Sequence, residues 1–310
     1  MAGKTAFITG ASGFIGSAVT RAAIAKGYQV RGLSRSEESD EKIKKLGGVP
    51  VRGDLTSHDL LAREAANADI VCNLGDAFMG SKFTLHHDEA IKITTGAISA
   101  MAAALVGTNK PLLVSSGVRI VRADPNGGVT TEDDPEDENS YFDRRLMEHP
   151  SLAWAKRGVR VACIRIAPFV HGEGNLIEMM VQMARSSGAA FTINGGNIYT
   201  STVHVDDVGR LYILAAEKTQ AGETYNAVAE NDITFATFMG AIADAAGVPV
   251  KDLTPEEALA QLGPMWADYF SQPCRGSSEK AKKVLGWEIK EIGLLEHIKK
   301  LYPEAKPAED

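Results

Sequence analysis

The stretch Thr5-Ala6-Phe7-Ile8-Thr9-Gly10-Ala11-Ser12-Gly13-Phe14-Ile15-Gly16 passes from an apolar run into three glycines spaced three apart. It then enters a segment, Phe14–Lys26, whose apolar residues recur at helical spacing. The reading is strand, tight turn, helix. Gly10 can take a turn conformation closed to other residues, Gly13 lets the backbone approach a ligand, and Gly16 lets the helix pack close to the strand. The first turn of a helix exposes N–H groups without partners and carries a partial positive charge, so the loop, with Ser12, Phe14 and Ile15 among its members, suits a pyrophosphate. A tight turn with no ligand would use the same glycines, but the register of strand, loop and helix together favours a bound dinucleotide.

Outward from this unit, short β-branched or apolar runs alternate with helical segments. Strands are expected at Thr5–Thr9, Gln29–Leu33, Val49–Arg52, Ile70–Leu74, Leu112–Ser115 and Val159–Ile166. Helices are expected at Phe14–Lys26, Glu41–Leu46, Leu60–Ala66, Glu89–Val106 and Tyr141–Arg157. This alternation is that of an α/β protein, a Rossmann-type doubly wound parallel sheet. The expected core is 1–168, with 200–228 returning to it; 169–199 and 229–302 form a smaller, mainly helical C-terminal lobe that selects substrate, and 303–310 is a polar tail. From about Phe169 onward a helix is expected near Leu176–Ser186, a short strand near Phe191–Ile193, a helix over Asp206–Lys218, a strand over Thr224–Val228 and a helix over Pro255–Phe270.

Composition narrows the partners. Of 310 residues, 33 are basic and 40 acidic, a formal charge of −7 that disfavours nucleic acid or an anionic membrane and leaves a small molecule as the expected partner. Cys72, Cys163 and Cys274 form no C-x-x-C pair, which suits reduced thiols and a cytoplasmic location. Lys4 leads directly into the first strand, without room for a secretory signal, and the apolar run Ala97–Val106 is far short of the about 20 residues of a membrane span. The helices Glu89–Val106 and Tyr141–Arg157 could pair across a two-fold axis in a homodimer.

The residues after each strand are the ones that meet a ligand in such a sheet. After the second, the sequence reads Leu33-Ser34-Arg35-Ser36, with no carboxylate before Glu37 to receive ribose hydroxyls. Ser34 and Arg35 suit a ribose 2′-phosphate instead, which favours NADP(H) over NAD(H). Asp54 and Leu55 follow the third strand, where Asp54 could accept from an adenine amino group or start the next helix. Leu74 and Gly75 end the fourth strand, where a close-packed backbone would pass beneath the cofactor, and Asp76 is unusual there.

With these residues in view, the chain resembles an extended or atypical short-chain dehydrogenase/reductase of the NAD-dependent epimerase/dehydratase group. The resemblance spans nearly the whole chain through Thr9–Gly16, Gly53-Asp54-Leu55, Val114-Ser115-Ser116-Gly117, Gly158-Val159-Arg160-Val161, Arg165–Gly172 and Val203–Val208. It implies that Ser115, Pro168 and Val170 lie along the cofactor and that Ser116 polarises a substrate carbonyl. In that family a tyrosine on the next helix is the general acid or base, and a lysine four residues on lowers its pKa. Here Tyr141 and Arg145 have that spacing, and Ser140 and Arg144 form a second register, in which Glu148 falls where the family often has glutamate. Tyr141 with Arg145 is preferred because it keeps a phenol, although arginine cannot release a proton as lysine can. Pro150 inside the expected helix makes a local distortion.

Phe78, His171 and Tyr199 are further candidates for the substrate pocket, and Tyr199, His171 and His204 are the alternatives for proton transfer if Tyr141 does not reach the reaction. The acidic run Thr131–Glu138 reads as a solvated loop at the mouth. His86-His87-Asp88-Glu89 lacks convincing ligand geometry, and no metal is expected. Trp266, Tyr269 and Phe270 either cap the cleft or simply pack between helices. Three functions follow: an NADPH-dependent carbonyl reductase, a redox-neutral epimerase, dehydratase or isomerase, and an NADP(H)-sensing regulatory protein.

Overall fold

Alternation sets the first strand. In β1 (Thr5–Thr9), Ala6 and Ile8 enter one core cluster and Phe7 the other, as the two-residue period of a strand buried on both faces requires. The computed structural model describes residues 3–174 and 176–303. β1 lies inside a seven-stranded sheet ordered β10-β6-β5-β4-β1-β2-β3, comprising β2 (Gln29–Ser34), β3 (Val49–Arg52), β4 (Ile70–Asn73), β5 (Pro111–Gly117), β6 (Arg160–Ile166) and β10 (Glu223–Ala227). Every pairing in it is parallel. The chain runs from β1 outward to β3, then returns past β1 to β4, so the strand order reverses between β1 and β4.

Helices α1 (Phe14–Ala25), α2 (Glu37–Lys45) and α8 (Val205–Lys218) contribute Val19, Ala23, Ile43, Leu211 and Tyr212 to the core on one face. On the other, α3 (His58–Asn67), α5 (His87–Leu105) and α6 (Arg145–Leu152) supply Leu61, Ile98, Met101, Leu105 and the partly buried Leu152. A four-residue turn of helix, α4 (Ala77–Gly80), lies between β4 and α5.

The remaining elements build a third core around Phe169, Val181, Phe235, Phe238 and Ile242. They include a three-stranded sheet of β7 (Phe169–His171), β9 (Tyr199–His204) and β11 (Glu230–Thr234), and a parallel pair, β8 (Ala190–Ile193) and β12 (Val250–Leu253). Helices α7 (Leu176–Ser187), α9 (Phe235–Ala246), α10 (Pro255–Ser271) and α11 (Leu294–Leu301) complete it. This part carries more strand than its sequence suggests. Of the expected tail, 304–310 lies outside the described residues.

The expected helix Tyr141–Arg157 is the main departure. Asp143 Oδ1 accepts from the Arg145 N–H at 3.0 Å, a local turn that delays the helix to Arg145. Pro150 lacks an N–H for the helical ladder; after Leu152 the chain tightens into a 3₁₀ segment, Ala153–Arg157, closed by Gly158 in the left-handed region. Tyr141 therefore precedes the helix and does not share a helical face with Arg145. Among the described residues no helix is long and apolar enough to cross a membrane.

Candidate active site

Where the strand order reverses, the glycine loop closes tightly against the end of β4. Gly10 has φ +70°, and a Cβ there would lie 2.9 Å from the Leu74 carbonyl carbon and 3.0 Å from the Gly75 nitrogen. A Cβ on Gly16 would sit 1.9 Å from the Gly10 carbonyl oxygen, so helix α1 can lean on the loop only without a side chain. Gly13 differs. Its φ of −76° suits any residue, and its Cβ would meet only the Gly10 oxygen, at 3.2 Å. The protein's own packing makes little demand for glycine at 13, and the missing side chain leaves the loop backbone open to a ligand. No side chain caps α1 and its first turn holds no acidic residue, which leaves a helix terminus fit for an anion. The cradle thus fits a dinucleotide diphosphate.

Thr9 and Asn73, which the sequence did not single out, tie β1 to β4. Thr9 Oγ1 donates to Asn73 Oδ1 at 2.8 Å and accepts from the Gly75 N–H at 2.9 Å. Leu55 and Thr9 flank Gly75, where a Cβ would approach them to 2.9 and 3.0 Å. Asp54 accepts from the N–H and hydroxyl of Thr56, which together with its other hydrogen bonds outweigh burial and hold its carboxyl below the usual range. It therefore organises the turn before α3.

At the end of β2, Ser34 is buried and its hydroxyl donates to the Ser36 carbonyl at 3.0 Å. Arg35 is exposed and donates to the Gly80 carbonyl at 3.1 Å. The guanidinium is the accessible group of that pair.

Alternation separates the two serines of β5. Ser115 Oγ donates to the Asn73 carbonyl at 3.0 Å and lies 2.6 Å from the Tyr212 hydroxyl, turned into the interior. Ser116 Oγ is buried with no hydrogen-bond partner among the described residues. Beside it, a Cβ on Gly117 would lie 3.9 Å from Arg144 Cγ. The Arg144 guanidinium donates to Asp76 Oδ2 at 2.7 Å. Burial opposes ionisation of Asp76, but Arg144 and the Phe78 and Met79 N–H groups that it caps prevail and hold its pKa below the ordinary value. The N-cap pattern Asp76-Ala77-Phe78-Met79 was the signal for this role.

Four residues after Arg144, Glu148 is buried and receives Arg165 through its Nε and Nη2, the shortest contact being 2.6 Å, while Arg165 Nη1 donates to the Glu132 carbonyl. This pair fixes α6 on β6 and sets which face of the helix meets the strand ends. Arg144 lies on that side; Arg145 instead forks Asp143. Tyr141 is 49% exposed, with its ring edge-on to Phe142. The structure thus brings Ser116, Arg144 and Asp76 to one strand end, and leaves Arg145 on another contact.

Phe142, Phe78, His87, Arg144 and Asp76 line a small cleft. Phe78 meets Phe83 and Phe142 edge-on, and Phe83 meets Trp266 of α10 at 6.1 Å. Trp266 also stacks on Phe270, so α10 both packs and reaches the aromatic wall. Tyr269 donates from its hydroxyl to the Pro168 carbonyl, beside Phe169 and Val170. Tyr199 lies elsewhere, under the Arg275 guanidinium at 4.3 Å.

His171 is fully buried, and its Nδ1 lies 3.1 Å from His297 Nδ1. Burial first, then the neighbouring His204 and His297, depress its pKa to about 3. It is closed to substrate in this state. The acidic run is only partly solvated: Glu132 is buried and accepts from the Asn226 N–H at 2.7 Å, and burial raises its pKa. All three cysteines are buried and free.

The model of the NAD dependent epimerase/dehydratase family matches residues 6–228. The chain belongs to this family. An uncharacterized protein of Saccharomyces cerevisiae, YLL056C, is 34% identical over 96% of this chain and 98% of its own. A 4-hydroxy-2-methyl-3-oxo-4-farnesyl-3,4-dihydroquinoline-1-oxide ketoreductase of Stigmatella aurantiaca is 23% identical over 91% of this chain and 87% of its own. The fold matches that of the dTDP-glucose 4,6-dehydratase of Bacillus anthracis with a TM-score of 0.74, at 19% identity, covering 98% of this chain and all of that one.

Proposed function

We propose that this family member is an NADP(H)-dependent oxidoreductase that reduces a carbonyl or related group of a small organic substrate. The observation that carries the reading is the buried, unpartnered Ser116 hydroxyl at the end of β5. A buried hydroxyl without a partner is destabilising unless a ligand completes it, and a carbonyl oxygen would accept its hydrogen bond. The nicotinamide, when bound, supplies or accepts hydride. Gly10, Gly13 and Gly16 hold the diphosphate on the first-turn N–H groups of α1. Arg35, exposed where β2 carries no carboxylate, supports a 2′-phosphate and therefore NADP(H).

Ser116 polarises the substrate carbonyl and stabilises the developing oxyanion. Arg144, locked by Asp76, supplies a fixed positive field at the end of β5 but no transferable proton. Tyr141 remains the phenol closest in sequence and delivers the proton from the loop before α6. The aromatic wall of Phe78, Phe83, Phe142 and Trp266 favours an apolar carbonyl compound over a highly polar sugar nucleotide.

The test is loss of NADPH absorbance across a panel of aldehydes and ketones. Ser116→Ala should cut kcat by about 10² to 10³ and Tyr141→Phe by about 10² to 10⁴, both with folding intact by circular dichroism. A Ser116→Ala enzyme at full rate would overturn the reading, and a full-rate Tyr141→Phe would remove the phenol and leave the Ser140/Arg144 register. Product formation without net cofactor oxidation would establish the redox-neutral alternative.

A further inference from the structure

Three histidines separated widely in sequence meet at the base of the cofactor loop. His171 ends β7, His204 ends β9 beside it in parallel register, and His297 lies on α11. Their ring centroids form a near-equilateral triangle with sides of 5.2, 5.3 and 5.4 Å. One nitrogen from each ring can be chosen so that all three lie within 4.8 Å of one another. Among the described residues this is the only such group of His, Cys, Asp and Glu.

We propose that His171, His204 and His297 form a site for a divalent transition-metal ion, with Zn²⁺ as the preferred occupant. Three neutral imidazoles with an open fourth position are a familiar zinc donor set. One observation points to a ligand rather than to packing alone. His171 Nε2 is buried with no hydrogen-bond partner among the described residues, in a ring with no solvent exposure. The other nitrogen of that ring, Nδ1, faces His297 Nδ1 at 3.1 Å, a hydrogen bond between the two imidazoles that an ion would have to replace.

His204 reveals the change that binding requires. Its Nδ1 now accepts from the Asp206 N–H at 3.2 Å, and the Asp206 carboxylate lies 3.9 Å away. Ligation through Nε2 would move the ring proton to Nδ1, which requires the Asp206 N–H to give up its contact and the Asp206 carboxylate to close in and accept instead, the usual partner arrangement of a metal-bound histidine. His204 is also the most exposed of the three side chains, at 12%, and provides the entry side. A Cβ on the adjoining Gly172 would lie 3.1 Å from Phe14 Cζ. An ion here would therefore clasp α11 to β7 and β9, directly beneath the start of α1.

The test uses metal-free, tag-free full-length protein titrated with Co²⁺ and then Zn²⁺. The expected result is a single Co²⁺ equivalent with the intense visible bands of four-coordinate geometry, displaced by Zn²⁺ with a rise in Tm. His297→Gln should weaken Zn²⁺ binding on the order of 10²-fold or more, beyond the loss typical of an outer-shell partner, with the far-ultraviolet spectrum unchanged. If that variant does not fold, His204→Gln serves the same comparison. Absence of stoichiometric Co²⁺ or Zn²⁺ binding, or equal binding by a folded variant, would overturn the proposal.

Discussion

Replacing Gly13 by alanine separates what the fold needs from what the ligand needs. Gly13 has φ −76° and ψ 173°, which alanine adopts without strain, and the new methyl would touch only the Gly10 oxygen at 3.2 Å. A shift of a few tenths of an ångström relieves that contact, and the stiffer unfolded chain contributes about 0.4–1 kcal/mol in favour of folding. The two effects nearly cancel, so Tm should change by no more than about 3 °C. If the diphosphate sits on the N–H groups of Phe14 and Ile15 as proposed above, the same methyl stands in its approach. Losing two hydrogen bonds to a charged diphosphate, each worth about 1.5–3 kcal/mol, weakens nucleotide binding by roughly 10²-fold or more. Gly16→Ala is the control. Its Cβ would be 1.9 Å from the Gly10 oxygen and 2.7 Å from the Gly10 carbon, both backbone atoms, so α1 must withdraw. That overpacking costs about 1–3 kcal/mol and should lower Tm and binding together. Thermal melts with and without NADPH, with calorimetric titration, distinguish the two variants. Wild-type affinity in Gly13→Ala would refute the reasoning.

Arg35→Ala should weaken NADPH binding by about 10- to 100-fold through the loss of a charge-assisted contact while leaving NADH nearly unchanged; equal shifts in both titrations would remove Arg35 from cofactor selection. Glu148→Gln leaves the buried Arg165 charge without its carboxylate. It should destabilise the protein by about 3–5 kcal/mol, measured by chemical denaturation, and adding Arg165→Met should restore part of the loss. An unchanged denaturation midpoint for the single variant would show that the pair does not hold α6.

The sheet was legible because both of its signals are local: short continuous apolar runs such as Ala6-Phe7-Ile8, and glycines placed between a strand and a helix. The first strand, its loop and α1 follow from neighbouring residues alone. The start of α6 did not, because apolar spacing through Tyr141 and Arg145 competes with the Asp143 side chain, which captures the Arg145 N–H and wins. That one turn determines whether Arg144 or Arg145 faces Asp76. Short strands such as β7, with three residues, are too brief to show a period. Glu132 sits in a run of acids, yet long-range contact with Asn226 buries it. His171, His204 and His297 have no shared sequence spacing and meet only through tertiary structure.

Calorimetric titration of the wild-type chain with NADP⁺, NADPH, NAD⁺ and NADH tests the central claim, that the turn between β1 and α1 holds a pyridine dinucleotide. Saturable binding of one nucleotide per chain is expected, tighter for the phosphorylated pair and weaker by roughly 10²-fold or more in Gly13→Ala. No heat of binding with any of the four would contradict it.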